Sequence, residues 1–312
     1  MAVESTQTDL NINRGVTLEF ALLLLLATLW GASYTFIKLG VATIPPTTLI
    51  AARTLIAGVL LLVIMQARGL SLPRDIAIWR RFLLQAFLNS VIPWTLIAWG
   101  ERSLDAGLAT ILNSTSPMLT FFLTLAITRH ETLSVRKLFG VLIGMAGICL
   151  IVGMQALGGL GEQLVAEIAV VVATICYAGA AIFSRGFRGL DPMAPAAGSL
   201  LSGAAVLIPV SLVVDRPWTL APSMSSLLAL VGLAVFSTSF AFVIYFRLIQ
   251  TLGSVSTTAQ SYLRVPIGVA FGVLLLGETL TETAWVGLGC VFIGVAAMTI
   301  PERKPVPTSA SS

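Results

Sequence analysis

The stretch H-E-T-L-S-V-R-K-L-F-G-V-L-I-G-M-A-G, from His130 to Gly147, returns in altered form as G-E-T-L-T-E-T-A-W-V-G-L-G-C-V-F-I-G, from Gly277 to Gly294. The two E-T-L turns, Gly140 with Gly287, and Gly147 with Gly294 all share one constant offset along the chain. Upstream, Trp30, Phe36 and Lys38 match Tyr177, Phe183 and Arg185 at the same offset. Pro117 and Pro266 match at a slightly longer spacing, a small drift absorbed before the E-T-L turns. A shared offset over so many positions identifies a duplication.

Between these marks the chain is nearly all apolar. Of its 312 residues 57% are hydrophobic and only 10% charged, against about 25% charged in an ordinary globular domain. The mean hydropathy is +0.97. A soluble enzyme and a disordered chain are both excluded. Uncharged stretches of about 20 residues recur along the whole length, and each can cross a bilayer as a helix. Ten spans are expected, at 17–38, 47–66, 81–100, 104–127, 137–156, 165–185, 193–214, 224–246, 252–275 and 283–300. The fold class is therefore an all-α integral membrane protein. Its expected parts are an N-terminal tail (1–16), a five-helix repeat (17–156), a second five-helix repeat (165–300) and a C-terminal tail (301–312). Arg14 before Leu22 to Leu26 imitates a signal sequence, but the apolar run continues to about Ile37 without a small-residue cleavage site, so a retained first span is expected.

An odd number of helices per repeat makes the second copy start on the opposite side of the membrane. The halves are then inverted, related by a pseudo-two-fold axis in the membrane plane. This architecture recurs among secondary transporters, with substrate near the midplane between the repeats, and it suits alternation between inward-open and outward-open states.

The basic residues give orientation. Thirteen of the eighteen Lys and Arg fall in the N-tail, the even-numbered loops and the C-tail, three (Lys38, Arg102 and Arg216) on the other side, and Arg53 and Arg264 within spans. The positive-inside rule places both termini in the cytoplasm, and an even number of spans requires them to share a side. The net charge of +4 is thus topological, and no nucleic-acid partner is expected. Three cysteines inside apolar segments and one histidine, His130, offer no metal-ligand spacing; no metal and no cofactor are expected. A membrane-embedded enzyme would need clustered acids, histidine or a nucleophile at one face, and a receptor would need a soluble signalling module. Neither pattern is present in the sequence.

More specific marks are L-W-G-A-S-Y-T-F-I-K from Leu29 to Lys38, A-A-R-T-L-I-A-G-V-L-L-L from Ala51 to Leu62, mid-span prolines in helices 4 and 9, and the E-T-L turns before helices 5 and 10 with their spaced glycines. In these the chain resembles the drug/metabolite transporter superfamily in its ten-helix EamA-type form, over about residues 17–300, and most resembles the YddG group of aromatic and neutral amino-acid exporters. The resemblance implies a multi-pass transporter of the bacterial inner membrane. It would export amino acids or similar small metabolites by alternating access; other metabolites and cationic drugs remain the alternative cargo. The four-helix relatives carry a helix-1 glutamate for proton coupling. Here Glu19 sits at the edge of the first span and no acid lies near the centre of any span, which favours a facilitator-like exporter; Glu101 or Asp105 at a mouth is the alternative.

Candidate substrate-lining residues follow from polar or aromatic character at mid-depth. Arg264, halfway along helix 9, must face a cavity or a partner and suits a carboxylate; the alternative is that it bonds carbonyls freed by Pro266. Arg53 lies near a span end and can snorkel. Asn113 and Thr115 precede Pro117, and Gln260 and Tyr262 precede Pro266. The prolines are candidate hinges whose bends expose carbonyls. Asn89 and Ser239 sit in matched polar runs of helices 3 and 8. Trp30, Tyr34, Trp94, Tyr177 and Tyr262 are deep aromatics that stack on a substrate or pack between helices. The remaining tryptophans at span ends, Trp79, Trp99, Trp218 and Trp285, read as an interfacial belt. Gly140, Gly144, Cys290 and Gly294 form small-residue faces on helices 5 and 10 that pack the pair together or serve a homodimer; a monomer is expected.

Overall fold

The structure is a computed structural model, and it describes residues 2–100, 103–104, 106–127, 134–267 and 281–300. The E-T-L turns, His130, Glu101 and Asp105 lie outside the described residues. The first repeat contains α1 (Ala2–Gly40), α2 (Pro46–Ala67), α3 (Ile76–Ala86), α4 (Ile92–Gly100), α5 (Ala106–Asn113), α6 (Ser116–Ile127) and α7 (Val135–Val152). The second contains α8 (Leu164–Ser184), α9 (Met193–Val214), α10 (Met224–Ala234), α11 (Ala241–Thr251), α12 (Ser254–Thr258), α13 (described over 260–267) and α14 (Glu282–Thr299). Eight stretches are long and apolar enough to cross a bilayer alone. The segments 76–100 and 254–267 complete a ten-pass, two-repeat fold. Hydrophobic side chains such as Leu55, Val59, Val63, Leu125 and Val213 stay exposed along these helices. Bilayer lipid, as apolar as the side chains, is their solvent.

The duplication appears in the element bounds themselves. Pro46 and Ala67, the ends of α2, map through the offset of the duplication onto Met193 and Val214, the ends of α9. Val135 and Val152, the ends of α7, map in the same way onto Glu282 and Thr299, the ends of α14. Even the caps repeat. The Ser134 hydroxyl accepts from Lys137 N before α7, and the Thr281 hydroxyl accepts from Ala284 N before α14, each satisfying a donor that a helix start leaves without a partner.

α7 and α14 pack without intervening side chains. A Cβ on Gly140 would lie 2.7 Å from Gly294 O, and one on Gly147 would lie 2.7 Å from Gly287 O. Gly140 and Gly287 are repeat equivalents, as are Gly147 and Gly294, and the contacts run crosswise between the two pairs. Two antiparallel helices related by a two-fold axis must meet this way, so the inversion is visible in four glycines. The expected small-residue face is used inside the chain. Its partners differ from expectation: Gly287 rather than Cys290 pairs with α7, and Gly144 also lies beneath the Tyr262 ring.

Four expected spans are interrupted. The 81–100 and 224–246 passes each carry a π-helical segment, Phe87–Val91 and Val235–Phe240, at equivalent places in the two repeats. Polar residues lie in each, and in the second repeat their bonds explain the wider turn. Thr238 and Ser239 donate their hydroxyls to the carbonyls of Leu233 and Ala234, five residues back, at 2.8 and 2.9 Å. That bonding supports the wider turn, and π-bulges cluster at functional sites. The 104–127 pass breaks at Ser114–Thr115, directly before Pro117, which sits in the first turn of α6 where its missing N–H costs nothing. In the second repeat the break falls at Ala259, between α12 and α13, and not at Pro266, which is buried within α13. Ser and Thr side chains explain the shift: Thr257 and Thr258 hydroxyls donate to Gly253 O and Val255 O, offering the backbone an alternative to regular helix.

Candidate functional site

Between the repeats lies a cavity of about 370 Å³, at the small end of the range that holds one ligand. Its lining residues on α1 begin at Trp30 and run to the α1–α2 connection, where Val41 and Pro46 form the rim. The opposite end is closed. Phe82, Phe187 and Phe246 are fully buried there, with ring centroids 5.4 Å apart for Phe82–Phe187 and 6.1 Å for Phe187–Phe246. Beyond them Glu19 on α1 meets Arg247 at 3.3 Å and accepts from the Thr251 hydroxyl at 2.9 Å.

Two guanidiniums enter the cavity, each against an indole. The Arg53 Cζ stands 3.8 Å from the centre of the Trp94 ring, and the Arg264 Cζ 4.8 Å from that of Trp30. Both lie within cation–π range. Arg53 is 5% exposed, so it does not snorkel out. Its Nε donates to Thr238 Oγ1 at 3.2 Å, which fixes it to the π segment of the other repeat. The Arg264 Nε donates to Gln260 Oε1 at 2.8 Å, and Gln260 Nε2 donates to Ser261 Oγ at 3.0 Å. Helical spacing produces that pairing, since residues four apart share a face. Among the described residues neither arginine meets a carboxylate, neither donates its terminal amino groups to a protein acceptor, and no acid lines the cavity.

Aromatic rings join the two pairs. Phe242 lies 6.3 Å from Trp30 and 6.4 Å from Trp94, and Tyr245 lies 5.6 Å from Trp30. Asn89, from the first π segment, lines the cavity, and its Nδ2 has no partner among the described residues. The site therefore offers a positive field, neutral amide and hydroxyl groups from Asn89, Asn113, Ser33 and Ser116, and an apolar aromatic wall.

Of the residues picked from the sequence, the cavity brings together Trp30, Asn89, Trp94, Asn113, Tyr177, Gln260 and Arg264. Three others lie elsewhere. Tyr262 is fully buried, and its hydroxyl donates to Val141 O at 3.0 Å, tying α13 to α7. Ser239 is spent on the π segment and reaches Ala57 O at 3.3 Å. Thr115 bonds Leu112 O at the break in the first repeat. The side chain of Tyr34 lies outside the described residues. Sequence reasoning did not single out Phe242 and Tyr245. Their only signal is position, one to two turns after the polar run of helix 8. Of the expected belt, Trp99, Trp218 and Trp285 are exposed, whereas Trp79 packs on Phe82 at 5.7 Å.

The sequence pattern of the EamA-like transporter family matches residues 17–153 and again residues 164–300. Both ends of the second match are displaced from the first by the offset of the duplication. The inner membrane transporter YedA of Escherichia coli strain K12 is 29% identical over 305 residues, covering 94% of this chain and 97% of its own. The transporter YoaV of Bacillus subtilis strain 168 is 25% identical, covering 88% of this chain and 95% of its own. A solved crystal structure superposes with a TM-score of 0.75 at 20% identity over 91% of this chain and 96% of that one, which speaks to the fold alone.

Proposed function

We propose, from the premise that this chain belongs to the EamA-like transporter family, that it exports small amphipathic metabolites bearing a carboxylate across the bacterial inner membrane. Aromatic and other neutral amino acids are among them. The observation that carries the reading is the half-depth cavity between inverted repeats, where two arginines lie against an aromatic wall. A guanidinium fork matches a carboxylate. Rings and aliphatic side chains match the rest of the molecule. No carboxylate among the described lining residues favours a cationic drug.

Both termini face the cytoplasm, as the basic loops indicate. The cavity rim at Val41 and Pro46 then faces outward, and the Phe82–Phe187–Phe246 packing with the Glu19 contacts forms the closed inner gate. Alternating access follows from the pseudo-symmetry: the second repeat adopts the conformation of the first and the reverse, closing the outer rim and opening the inner gate. Flux runs down the substrate gradient, supported by the absence of a midplane acid among the described residues, and the working unit is the monomer.

The test is counterflow in proteoliposomes of the purified protein, loaded with each of the twenty amino acids and related carboxylates, with and without a pH gradient. Carrier-dependent exchange is expected for aromatic carboxylates, unaltered by the gradient. Exchange no faster than in empty liposomes for every solute refutes the reading. Arg264→Ala is expected to lower exchange of carboxylates at least tenfold at unchanged protein level, and full exchange removes Arg264 from the site.

A further inference from the structure

We infer that the cavity selects solutes of net negative charge, an aryl or branched-alkyl carboxylate without an adjacent ammonium, over the matching zwitterion. The inference rests on the reading of this cavity as the solute site. It narrows that reading to a substrate class.

Among the described residues both charged side chains lining the cavity are cationic, Arg53 and Arg264. Each has its Nε committed, one to Thr238 and the other to Gln260, and that bond fixes the direction of the fork. The terminal amino groups of both are left without a protein acceptor among the described residues. A guanidinium out of bulk water with no counter-ion is costly, and an entering carboxylate supplies the missing charge. A further buried donor without a partner among the described residues, Asn89 Nδ2, adds to this set of groups.

An α-ammonium finds only neutral acceptors and no carboxylate among the described lining residues. The two indole faces nearest the charges are already covered by guanidiniums, so cation–π capture there is pre-empted. The Gln260 carbonyl oxygen is taken by Arg264. A second positive charge brought within a few ångströms of two guanidiniums is repelled, and the low dielectric amplifies the repulsion. The charges also break the pseudo-symmetry. At the offset of the duplication the counterpart of Arg53 is Leu200, and by the longer spacing that matches Pro117 with Pro266 the counterpart of Arg264 is Thr115. The duplication therefore does not account for a cationic centre.

The experiment is a three-solute ladder on the purified full-length protein in lipid nanodiscs: 3-phenylpropionate, phenylalanine and phenethylamine, which share one ring and differ in charge. Isothermal titration reads affinity, and proteoliposome counterflow reads exchange. Phenylpropionate is expected to bind at least tenfold tighter than phenylalanine, with phenethylamine weakest. Arg264→Gln is expected to erase at least tenfold of the preference for phenylpropionate, and Arg264→Lys to restore part of it. The wild-type ladder decides alone if the variants do not fold. Phenylalanine binding as tightly as phenylpropionate, or phenethylamine tighter than either, overturns the inference while the cavity remains a solute site. Failure of all three to bind or exchange removes the cavity from that role, and the inference with it.

Discussion

Replacing Gly147 by Ala tests the seam on which the two repeats meet. The new Cβ would lie 2.7 Å from Gly287 O and 2.9 Å from Val291 N. A carbon against a backbone oxygen rests at about 3.3–3.6 Å, so α14 must retreat by roughly 0.6 Å or more. Both clashing atoms are main chain, and no rotamer change relieves them. A retreat of about 0.5–1 Å forfeits a quarter to a half of the dispersion energy at the seam. Overpacking of this kind costs about 1–3 kcal/mol. Gly287→Ala is expected to cost the same, because its Cβ meets Gly147 O at 2.7 Å. The double variant is expected to cost less than the two single costs together, since one retreat accommodates both methyls. Gly289→Ala is the control: among the described residues no atom of a neighbouring element lies within 4 Å of its Cβ, and the gain in helix propensity is up to about 1 kcal/mol. The assay is reversible unfolding in mixed detergent micelles, followed by tryptophan fluorescence. A control as damaging as Gly147→Ala refutes the reasoning, as does full additivity in the double variant.

Tyr262→Phe removes one hydrogen bond to Val141 O and is expected to lower stability by about 1 kcal/mol while leaving substrate affinity unchanged; a changed Kd in titration returns Tyr262 to the binding site. Thr238→Val deletes both the acceptor of Arg53 and the donor to Leu233 O, and carboxylate affinity is expected to drop about tenfold, the value of a hydrogen bond to a charged group at its lower end. Affinity unchanged in the same titration means that Trp94 alone positions Arg53. Glu19→Gln cuts the contact with Arg247. A partly exposed pair is worth about 0–1 kcal/mol, so labelling of a cysteine placed at Ser184, in a background lacking the three native cysteines, is expected to speed up to about fivefold. An unchanged rate assigns the closure to the phenylalanine packing.

The fold was legible because lipid leaves few choices. Every backbone donor in the bilayer must be satisfied locally, so apolar stretches of the right length read as helices. One constant spacing, carried by Gly140, Gly147 and the E-T-L turns, implied the inverted pairing that the glycine contacts display. The interruptions were less legible. Pro266 advertised a bend, but the break is at Ala259, where back-bonding hydroxyls also bend a helix and carry a weaker sequence signal than a proline. The π segments left only a trace, the Ser237-Thr238-Ser239 run and its counterpart at Asn89-Ser90.

Primary structure was enough for the passes and their inversion, and it pointed to Arg264 as a group that needs a cavity or a partner in the membrane, whereas it read Arg53 as a span-end residue able to snorkel. Packing across the bundle settled which mid-depth residues meet. Tyr262 and Gln260 are two residues apart in the chain, yet one is locked against Gly144 and the other lines the cavity. Helical periodicity sends such neighbours to different faces, and the face that becomes cavity is set by helices from distant parts of the chain.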